Sequence, residues 1–275
     1  MPVVLIPAHN EAAVLPRTLS VLLDGLRPDV EVWVLANGCN DETAALGREA
    51  GVHVLEVEEA SKVAALNAGD AAAPGFPRMY LDADVELSGA DANRIFQALE
   101  QGAVAAEPRP IFDLEGADSL VLAWYPVWQA LHGARPGAVG SGLYALSEEG
   151  RARFGEFPRV IADDGFVRAH FAPGEIVEVA GTTSRVRAPR RLAELIKIKS
   201  RSRLGNLELR RRFPELMAAK AGSGVGAKAA KLPMSLWPYF PLYAMVQLRI
   251  RRRAKAQSQH LDDYVWERDE SSRGG

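Results

Sequence analysis

The first half of the chain alternates short apolar runs with segments whose apolar residues recur at helical spacing, and this alternation constrains the fold more than any other feature. The runs are rich in Val and Leu and predict strands at 3–6, 31–35, 52–57, 78–81 and 103–106. The segments between them predict helices at 12–26, 41–50, 61–72 and 90–101. Because strands joined by helices pair in parallel, this order predicts an α/β fold with a Rossmann-like, mostly parallel sheet flanked by helices on both faces.

Polar and glycine residues mark the ends of two predicted helices. Asn40 or Asp41 can cap the helix at 41–50, and Gly51 can end it. Ser61 can cap the next helix in the same way.

An acidic pair follows one of the predicted strands. The apolar run at 78–81 leads directly into Asp82, Ala83 and Asp84. A carboxylate without a partner inside a strand is costly, so both acids are expected to protrude at the strand's carboxyl end, where open parallel sheets bind ligands. Oxygen ligands at that edge suit Mg²⁺ or Mn²⁺ bridging a diphosphate, and the alternative is a plain acidic turn.

Two further polar loops follow predicted strands and are expected at the same edge. They are Pro7 to Glu11 after the first strand and Ala36 to Thr43 after the second. Lys62 lies near a helix start, a position that suits anions. The sequence therefore predicts one site at the carboxyl edge of the sheet.

Cysteine and charge distribution indicate a compartment and a partner. The single cysteine, Cys39, excludes an intramolecular disulfide, and the N-terminus lacks a basic region and a long apolar run, which favours a cytoplasmic protein. Residues 185 to 255 hold 19 Lys or Arg and 3 Asp or Glu, although the net charge of the chain is -2. That segment is expected to face an anionic partner.

The pattern becomes less regular from about residue 108, where prolines and aromatic residues predict a substrate pocket more than another strand-helix-strand unit. The stretch 218–230 mixes Gly, Ala and Lys and predicts a flexible linker. We predict a catalytic domain at 1–190 and a basic, partly amphipathic helical extension at 191–275.

Four motifs together resemble those of the family 2 glycosyltransferases, which have the GT-A fold. They are I-P-A-H-N-E at 6–11, N-G-C-N-D-E-T at 37–43, S-K-V-A-A-L-N-A-G at 61–69 and L-D-A-D-V-E at 81–86. The resemblance covers about residues 1 to 190 and implies a metal-dependent enzyme that uses a nucleotide-diphosphate sugar and inverts the anomeric centre. It implies that Asp82 and Asp84 hold the ribose and a metal-bound diphosphate, with Mn²⁺ or Mg²⁺ as the cation. The other nucleotide-sugar-binding residues that it implies are Pro7, Ala8, Asn10, Glu11, Asn37, Lys62, Asn67 and Ala83.

The same resemblance extends to an acidic pair further along the chain. Asp163 and Asp164 resemble the family's acidic motif, whose second acid implies Asp164 as the base that takes a proton from the acceptor hydroxyl. Asp163 would belong to the acceptor or sugar pocket, and so would Gly142 in a small-residue turn. The alternatives are a helix N-cap pair and an ordinary tight turn.

The sequence departs from the family pattern in two places. Ala36 and Asn37 stand where an aspartate usually reads the base, so a UDP-sugar is only the default donor. The Q-x-x-R-W pattern of processive synthases is absent, which favours transfer of a single sugar. Arg201 and Arg203 occupy a similar downstream position and are a candidate diphosphate clamp, with a solvated basic helix face as the alternative.

The segment 232–248 contains no charged residue but is only 17 residues long and holds three prolines, which argues against a membrane-spanning helix. Its aromatic residues stand beside a basic cluster at 249–255, which suits a segment lying on an anionic membrane surface. Such a protein would be peripheral on the inner face of the membrane and would reach a lipid-linked acceptor. The alternative is that the segment packs on the rest of the protein.

The leading hypothesis is an inverting hexosyltransferase-like enzyme in cell-surface polysaccharide or glycolipid synthesis. A sugar-phosphate nucleotidyltransferase is the alternative enzyme class, but Pro7 to Glu11 lacks the glycine and arginine expected of its first loop. A nucleic-acid-binding protein is a further alternative that would use the basic segment. The uncharged stretch beside that segment fits lipid better, so no nucleic-acid partner is expected.

Overall fold

A computed structural model of the protein describes residues 1–132, 142–218, 232–259, 261 and 271. The described strands are β1 Val3–Ala8, β2 Glu31–Asn37, β3 His53–Val57, β4 Arg78–Leu81, β5 Val85–Leu87, β6 Ala105–Asp113, β7 Leu143–Leu146 and β8 Ile176–Arg187. The described α-helices are α1 Leu15–Leu23, α2 Thr43–Glu49, α3 Lys62–Ala72, α4 Gly89–Glu100, α5 Ser119–His132, α6 Glu148–Arg151, α7 Asp163–Ala169, α8 Leu192–Arg212, α9 Pro214–Ala218 and α10 Phe240–Gln257. A 3₁₀ turn, Met234–Tyr239, directly precedes α10.

The chain divides into two compact units. The sheet unit comprises 1–112, 140–159 and 170–186, and the helical unit comprises 113–139, 160–169 and 187–275. The predicted division at residue 190 stays a prediction, and α5 and α7 are described with the helical unit although they precede that residue.

The sheet has the strand order β3-β2-β1-β4-β7-β6-β8-β5. Strands β3, β2, β1 and β4 pair in parallel, while β7 runs antiparallel to both β4 and β6, and β5 runs antiparallel to β8. The predicted α/β class with its mostly parallel sheet is confirmed, and the parallel half carries the predicted site.

Helices cover both faces of the parallel half of the sheet, and β1 is therefore buried on both sides. Val4 and Ile6 belong to a core that also contains Leu19 of α1 and Phe96 of α4. On the other face, α3 lies directly against Leu35, since a Cβ added to Gly69 would be 2.6 Å from its Cδ1. The continuous apolar runs of the sequence follow from this two-sided burial.

The predicted helix ends are partly confirmed. Ser61 caps α3, with its Oγ accepting a hydrogen bond from the backbone N of Ala64 at 3.3 Å. Gly51 follows α2 with φ +76°, as its predicted role requires. At the start of α2 the N-cap position is Glu42, whose side chain makes no capping bond, but Oδ1 of the predicted cap Asp41 accepts a 3.0 Å hydrogen bond from the backbone N of Thr43.

The irregular region after residue 108 is more ordered than its composition predicts. β6 continues through Pro108 and Pro110. Its pairing with β7 involves Ala105 and Ala106, so both prolines lie beyond the paired residues. α5 contains Pro126 in its interior, although a proline there costs about 3 kcal/mol. Burial of its aromatic residues, Trp124 and Tyr125 among them, offsets that cost.

The helical unit is built on this aromatic face of α5. Tyr243 of α10 lies with its ring 5.8 Å from that of Trp124, and α10 also packs against α8. The Nζ of Lys199 lies 3.9 Å from the ring centroid of Trp128. Burial, with a smaller contribution from neighbouring Arg201, lowers the pKa of Lys199 to about 8.

The predicted linker at 218–230 falls outside the described residues from 219 onward. Among the described helices, none is both long enough and apolar enough to cross a membrane.

A buried ionic network holds α3, β4 and α6 together. Asp70 of α3 pairs with Arg78 of β4, accepts a 2.8 Å hydrogen bond from the Tyr80 hydroxyl, and accepts another from Arg151 Nε at 2.8 Å. Arg78 is only 3% exposed. Burial, followed by the charge of Asp70, raises the pKa of Tyr80, so this hydroxyl remains a donor.

We expect Asp70→Asn to lower the free energy of unfolding by about 3–5 kcal/mol, because it leaves two buried guanidinium groups without a carboxylate. Chemical denaturation measures this loss. The matched control is Glu56→Gln, which breaks an exposed pair with Arg48 and should cost about 1 kcal/mol or less. Equal small losses in both variants would contradict a structural role for the network.

Candidate active site

The structure brings the loops after β1, β2 and β4 to one edge of the sheet. Ala8 at the end of β1 is in register with Ala36 of β2, and Leu5 of β1 is in register with Tyr80 of β4. Since the three strands are parallel, their carboxyl ends meet at the same edge, where ligands bind in open α/β sheets.

The first two loops are tied together by hydrogen bonds. The Oδ1 of Asn10 accepts a 2.8 Å bond from the backbone N of Asn40, and the backbone N of Glu11 donates to Thr43 Oγ1 at 2.8 Å. The ring Nδ1 of His9 lies 2.6 Å from the carbonyl O of Asn37. Asn10 has φ +52°, a conformation that asparagine adopts more readily than most residues.

Asp41 joins the same two loops through its carboxylate. Its Oδ2 accepts a hydrogen bond from the backbone N of Ala12 at 3.1 Å, and its Oδ1 accepts one from the backbone N of Thr43 at 3.0 Å. Burial acts to raise the pKa of Asp41, but these bonds and that of the Thr43 hydroxyl outweigh it and lower the pKa. Asp41 therefore stays ionised and fixes the two loops as one rim.

Asn37, the predicted base-reading residue, is 2% exposed. Its Nδ2 donates to the backbone carbonyls of Ala8 at 2.9 Å and Leu35 at 3.3 Å. Any contact with a base would therefore use its carbonyl oxygen. Pro7 and Ala8 are also buried within β1, whereas Asn10 and Glu11 are partly exposed at the rim.

The turn between β4 and β5 holds the acidic pair. Asp82 donates its backbone N–H to the carbonyl of Gly142 at 2.7 Å, and its own carbonyl accepts from Val85 at 3.0 Å. The hydroxyl of Thr18 in α1 donates to the carbonyl of Ala83 at 2.7 Å. Ala83 is buried, while Asp82 and Asp84 are partly exposed, so the backbone is fixed and both carboxylates border solvent.

Lys62 forms an ion pair with this turn. Its Nζ lies 2.7 Å from Asp82 Oδ1, and Lys62 is the first residue of α3. The positive end of a helix dipole and an ammonium group therefore stand beside the predicted diphosphate site.

The donor set fits a divalent cation that a substrate helps to bind. No group of three or more His, Cys, Asp or Glu side chains suited to a metal occurs in the described part of the chain. Mg²⁺ is commonly held by one or two carboxylates together with substrate phosphates and water. Asp82 and Asp84 satisfy that requirement, and a cation there would compete with Lys62 for Asp82.

Asn67 and Gly142 shape the surroundings of the turn. Asn67 of α3 exchanges two hydrogen bonds with the backbone of Phe157, at 3.0 and 2.8 Å, so its amide fixes a neighbouring loop. Gly142 has φ +67°, and a Cβ added to it would lie 2.6 Å from Asp82 Oδ2. The predicted place of Gly142 in the acceptor or sugar pocket stays a prediction, and its close approach to Asp82 explains why a side chain has no room there.

The second acidic pair opens α7 in the helical unit. Asp163 is 4% exposed, whereas Asp164 is partly exposed and its Oδ1 accepts a 2.7 Å bond from the backbone N of Gly165. The two carboxylates therefore differ in environment, as adjacent helical residues should. A Cβ added to Gly205 of α8 would lie 2.7 Å from the Cβ of Ala162, so α8 packs tightly behind this pair.

Arg201 and Arg203 lie on α8, two residues apart, so their side chains project about 200° apart around the helix axis. Arg201 is partly buried and Arg203 is exposed. The predicted clamp stays a prediction, and only one of the two can face a given ligand from one side of the helix.

Solved structures support the fold. The mannosyltransferase PcManGT from Pyrobaculum calidifontis, in complex with GDP-Man and Mn²⁺, is 18% identical over 96% of this chain and 88% of its own, with a TM-score of 0.65. Glucosyl-3-phosphoglycerate synthase from Mycobacterium tuberculosis, in complex with Mn²⁺, UDP and glucosyl-3-phosphoglycerate, is 21% identical over 77% of this chain and 79% of its own, with a TM-score of 0.55. No curated protein matches the sequence.

The sheet topology is therefore that of the GT-A fold. Residues 3–138 match the model of Glycosyl transferase family 2. The family predicted from the four motifs is thus confirmed.

The sequence analysis missed several residues that organise the site. Thr18 supports the acidic turn from α1, and no local pattern marks that role. Asp41 was predicted as a possible helix cap and as part of the second polar loop, but its bonds across to the first loop were not foreseen. The ion pair of Lys62 with Asp82 depends on the approach of α3 to β4 and has no signal in either segment.

We expect Gly142→Ala to displace Asp82 and weaken Mn²⁺-dependent nucleotide binding by at least about tenfold, since about 1.4 kcal/mol of lost contact suffices. Isothermal titration calorimetry measures the loss. Gly102→Ala is the matched control, because Gly102 also has a positive φ, of +107°, but has nothing within 4 Å of the added Cβ. Equal weakening in both variants would mean that backbone strain, and not contact with Asp82, is responsible.

Proposed function

We propose that this enzyme transfers a single sugar from a nucleotide-diphosphate sugar to an acceptor hydroxyl, lipid-linked phosphate or saccharide, with inversion at the anomeric carbon. The observation that carries the proposal is the pair of carboxylates after β4, with Lys62 beside them, on the edge formed by the loops of β1 and β2. A role in cell-surface polysaccharide or glycolipid synthesis, in the cytoplasm, is part of the same proposal.

The donor would lie along this edge, with its nucleoside near Asn10 and Glu11 and its diphosphate near Lys62. The similar solved structures contain GDP-Man in one case and UDP in the other, so likeness of fold does not choose the base. Since the Asn37 amide nitrogen is engaged by backbone carbonyls, this residue offers only an acceptor to the base. UDP remains the default donor nucleotide, and an acceptor at this position would suit the N–H donors of uracil and of guanine alike.

Asp84 and Asp82 would hold Mn²⁺ or Mg²⁺, which supplies positive charge to the departing diphosphate when bound. Lys62 would then turn from Asp82 to the phosphate oxygens, because its ammonium group is already at the helix start beside them. The fixed backbone of the turn keeps both carboxylates in place without reorganisation during the reaction.

Asp164 would accept the proton of the acceptor hydroxyl. Its partial exposure leaves it accessible, and the bond from Gly165 orients one carboxylate oxygen. Asp163 is buried and would position the start of α7, while Gly142 would leave room for the sugar beside Asp82. Arg201 or Arg203 would contribute to a diphosphate clamp.

Two variants should separate donor binding from turnover. We expect Asp84→Ala to abolish the stabilisation that a nucleotide sugar with Mn²⁺ gives in a thermal-shift panel, because it removes a metal ligand. Asp164→Asn should keep that stabilisation but lower nucleoside-diphosphate release by at least about 100-fold, since an amide cannot act as a base. Release is measured with a membrane extract as the acceptor source.

Normal turnover by Asp164→Asn would remove Asp164 from the role of base. Unchanged Mn²⁺-dependent binding by Asp84→Ala would place the metal elsewhere. The conservative variant Asp163→Asn is the control for a helix-start carboxylate, and its main effect should be on stability.

We further propose that the C-terminal region docks on an anionic membrane surface and so reaches a lipid-linked acceptor. One face of α10 is buried in the helical unit through Tyr243, Val246 and Ile250. The opposite side and the preceding 3₁₀ turn expose large apolar residues, namely Met234, Trp237, Tyr239, Met245 and Leu248. Packing and membrane contact therefore use different sides of one segment.

We expect the protein to sediment with phosphatidylcholine vesicles that contain phosphatidylglycerol, and to do so less at high salt. Leu248→Ser should weaken vesicle binding by about tenfold, because an inserted leucine side chain contributes about 1.5–3 kcal/mol. Leu122→Ser is the matched control, as Leu122 is 45% exposed and Leu248 is 47% exposed. A protein that stays in the supernatant at low salt would contradict membrane docking.

A further inference from the structure

Helices α8 and α10 pack against each other in the helical unit and form a groove of about 410 Å³. From α8, Arg203, Leu207 and Arg211 line it at intervals of four residues, so they form one stripe along that helix. From α10, Arg251 and Lys255 face them with the same interval. Four cationic side chains therefore converge on one space.

No carboxylate lines this groove among the residues that the structure describes. None of the four cationic side chains forms a salt bridge with a described Asp or Glu, whereas Arg212, also on α8, pairs with Glu208 at 2.9 Å. Partial desolvation in the groove, with the nearby charges of Arg251 and Arg210, lowers the pKa of Arg203, although much of its side chain is exposed. The groove is therefore a site of mutual repulsion between cations.

Such repulsion opposes the packing of α8 against α10, so stability does not explain the arrangement. The helices are held together by their apolar residues, with Leu204 of α8 and Val246, Ile250 and Ala254 of α10 all buried. An anion in the groove would offset the repulsion between the cations. A phosphate suits this place because one guanidinium group can donate two parallel hydrogen bonds to its oxygens.

The rest of the lining indicates the kind of anion. Ser258 adds a hydroxyl, while Leu207 and Leu261 add apolar surface. The groove has the size of ordinary small-ligand sites. A phosphate group attached to a less polar portion satisfies all these features.

We propose that this groove is a binding site for a phosphate-bearing ligand, either a soluble phosphate ester or a phospholipid headgroup. Its lining residues take no part in the proposed transfer reaction, except that Arg203 is also one of the two candidates for the diphosphate clamp.

Isothermal titration calorimetry of the full chain with inorganic pyrophosphate in EDTA tests the site, because EDTA removes the metal that the donor site would use. We expect wild-type protein to bind pyrophosphate and Arg251→Gln/Lys255→Gln to bind it at least tenfold more weakly. Arg249→Gln/Arg252→Gln is the matched control, since it removes two positive charges from α10 outside the groove and should change the affinity less than twofold. No binding by wild type, or equal weakening in both double variants, would overturn the proposal.

A melting curve without pyrophosphate guards against misfolding. The groove variant should melt at the same temperature as wild type or higher, because it removes repulsion between the helices. A variant that melts lower and binds no more weakly than the control would also overturn the proposal.

Competition separates the two sources of phosphate. Vesicles of phosphatidylcholine with phosphatidic acid that displace pyrophosphate from wild type, but not vesicles of phosphatidylcholine alone, support the site with a lipid headgroup as its ligand. Pyrophosphate binding that such vesicles leave unchanged supports the site with a soluble ligand. Both results are independent of Mn²⁺-dependent donor binding, whose failure would concern only the proposed function.

Discussion

The acidic turn after β4 is the interaction on which the rest of the site depends. Of the two carboxylates at the end of this buried strand, Asp82 pairs with the ammonium group of Lys62 at the start of α3. The turn cannot relax away from that cation, because Thr18 and Gly142 hold its backbone from two sides. A fixed acidic edge with a nearby movable ammonium group is well suited to exchange a protein ion pair for a bound diphosphate.

The asparagines at this edge show how the site is stabilised from behind. Nucleotide contacts by Asn37 and Asn67 stay predictions, and both amides also form hydrogen bonds with backbone groups that fix loops. Asp41 does the same between the loops of β1 and β2. Much of the polar character of the family motifs in this chain therefore supports the shape of the edge, and fewer residues are left to meet a ligand directly.

The basic C-terminal segment presents two chemically different surfaces. On α8 and α10, cations converge without carboxylates and favour a discrete anion. On the outer side of α10 and the turn before it, apolar residues such as Trp237 and Leu248 are exposed and favour a surface. The charge count of the sequence predicts one anionic partner for the whole segment. Helix packing instead separates the segment into a cationic groove and an exposed apolar surface.

The βαβ order, the strand at 78–81, the cap at Ser61 and the family could be predicted from the residues alone, because each is encoded in local spacing and residue type. Three other features emerge only from packing: α5 forms despite Pro126, Gly142 must lack a side chain beside Asp82, and Lys62 pairs with Asp82. These facts depend on residues that are distant in sequence but adjacent in space. Local patterns carry no signal for such contacts, since burial and approach distance arise only when the elements pack.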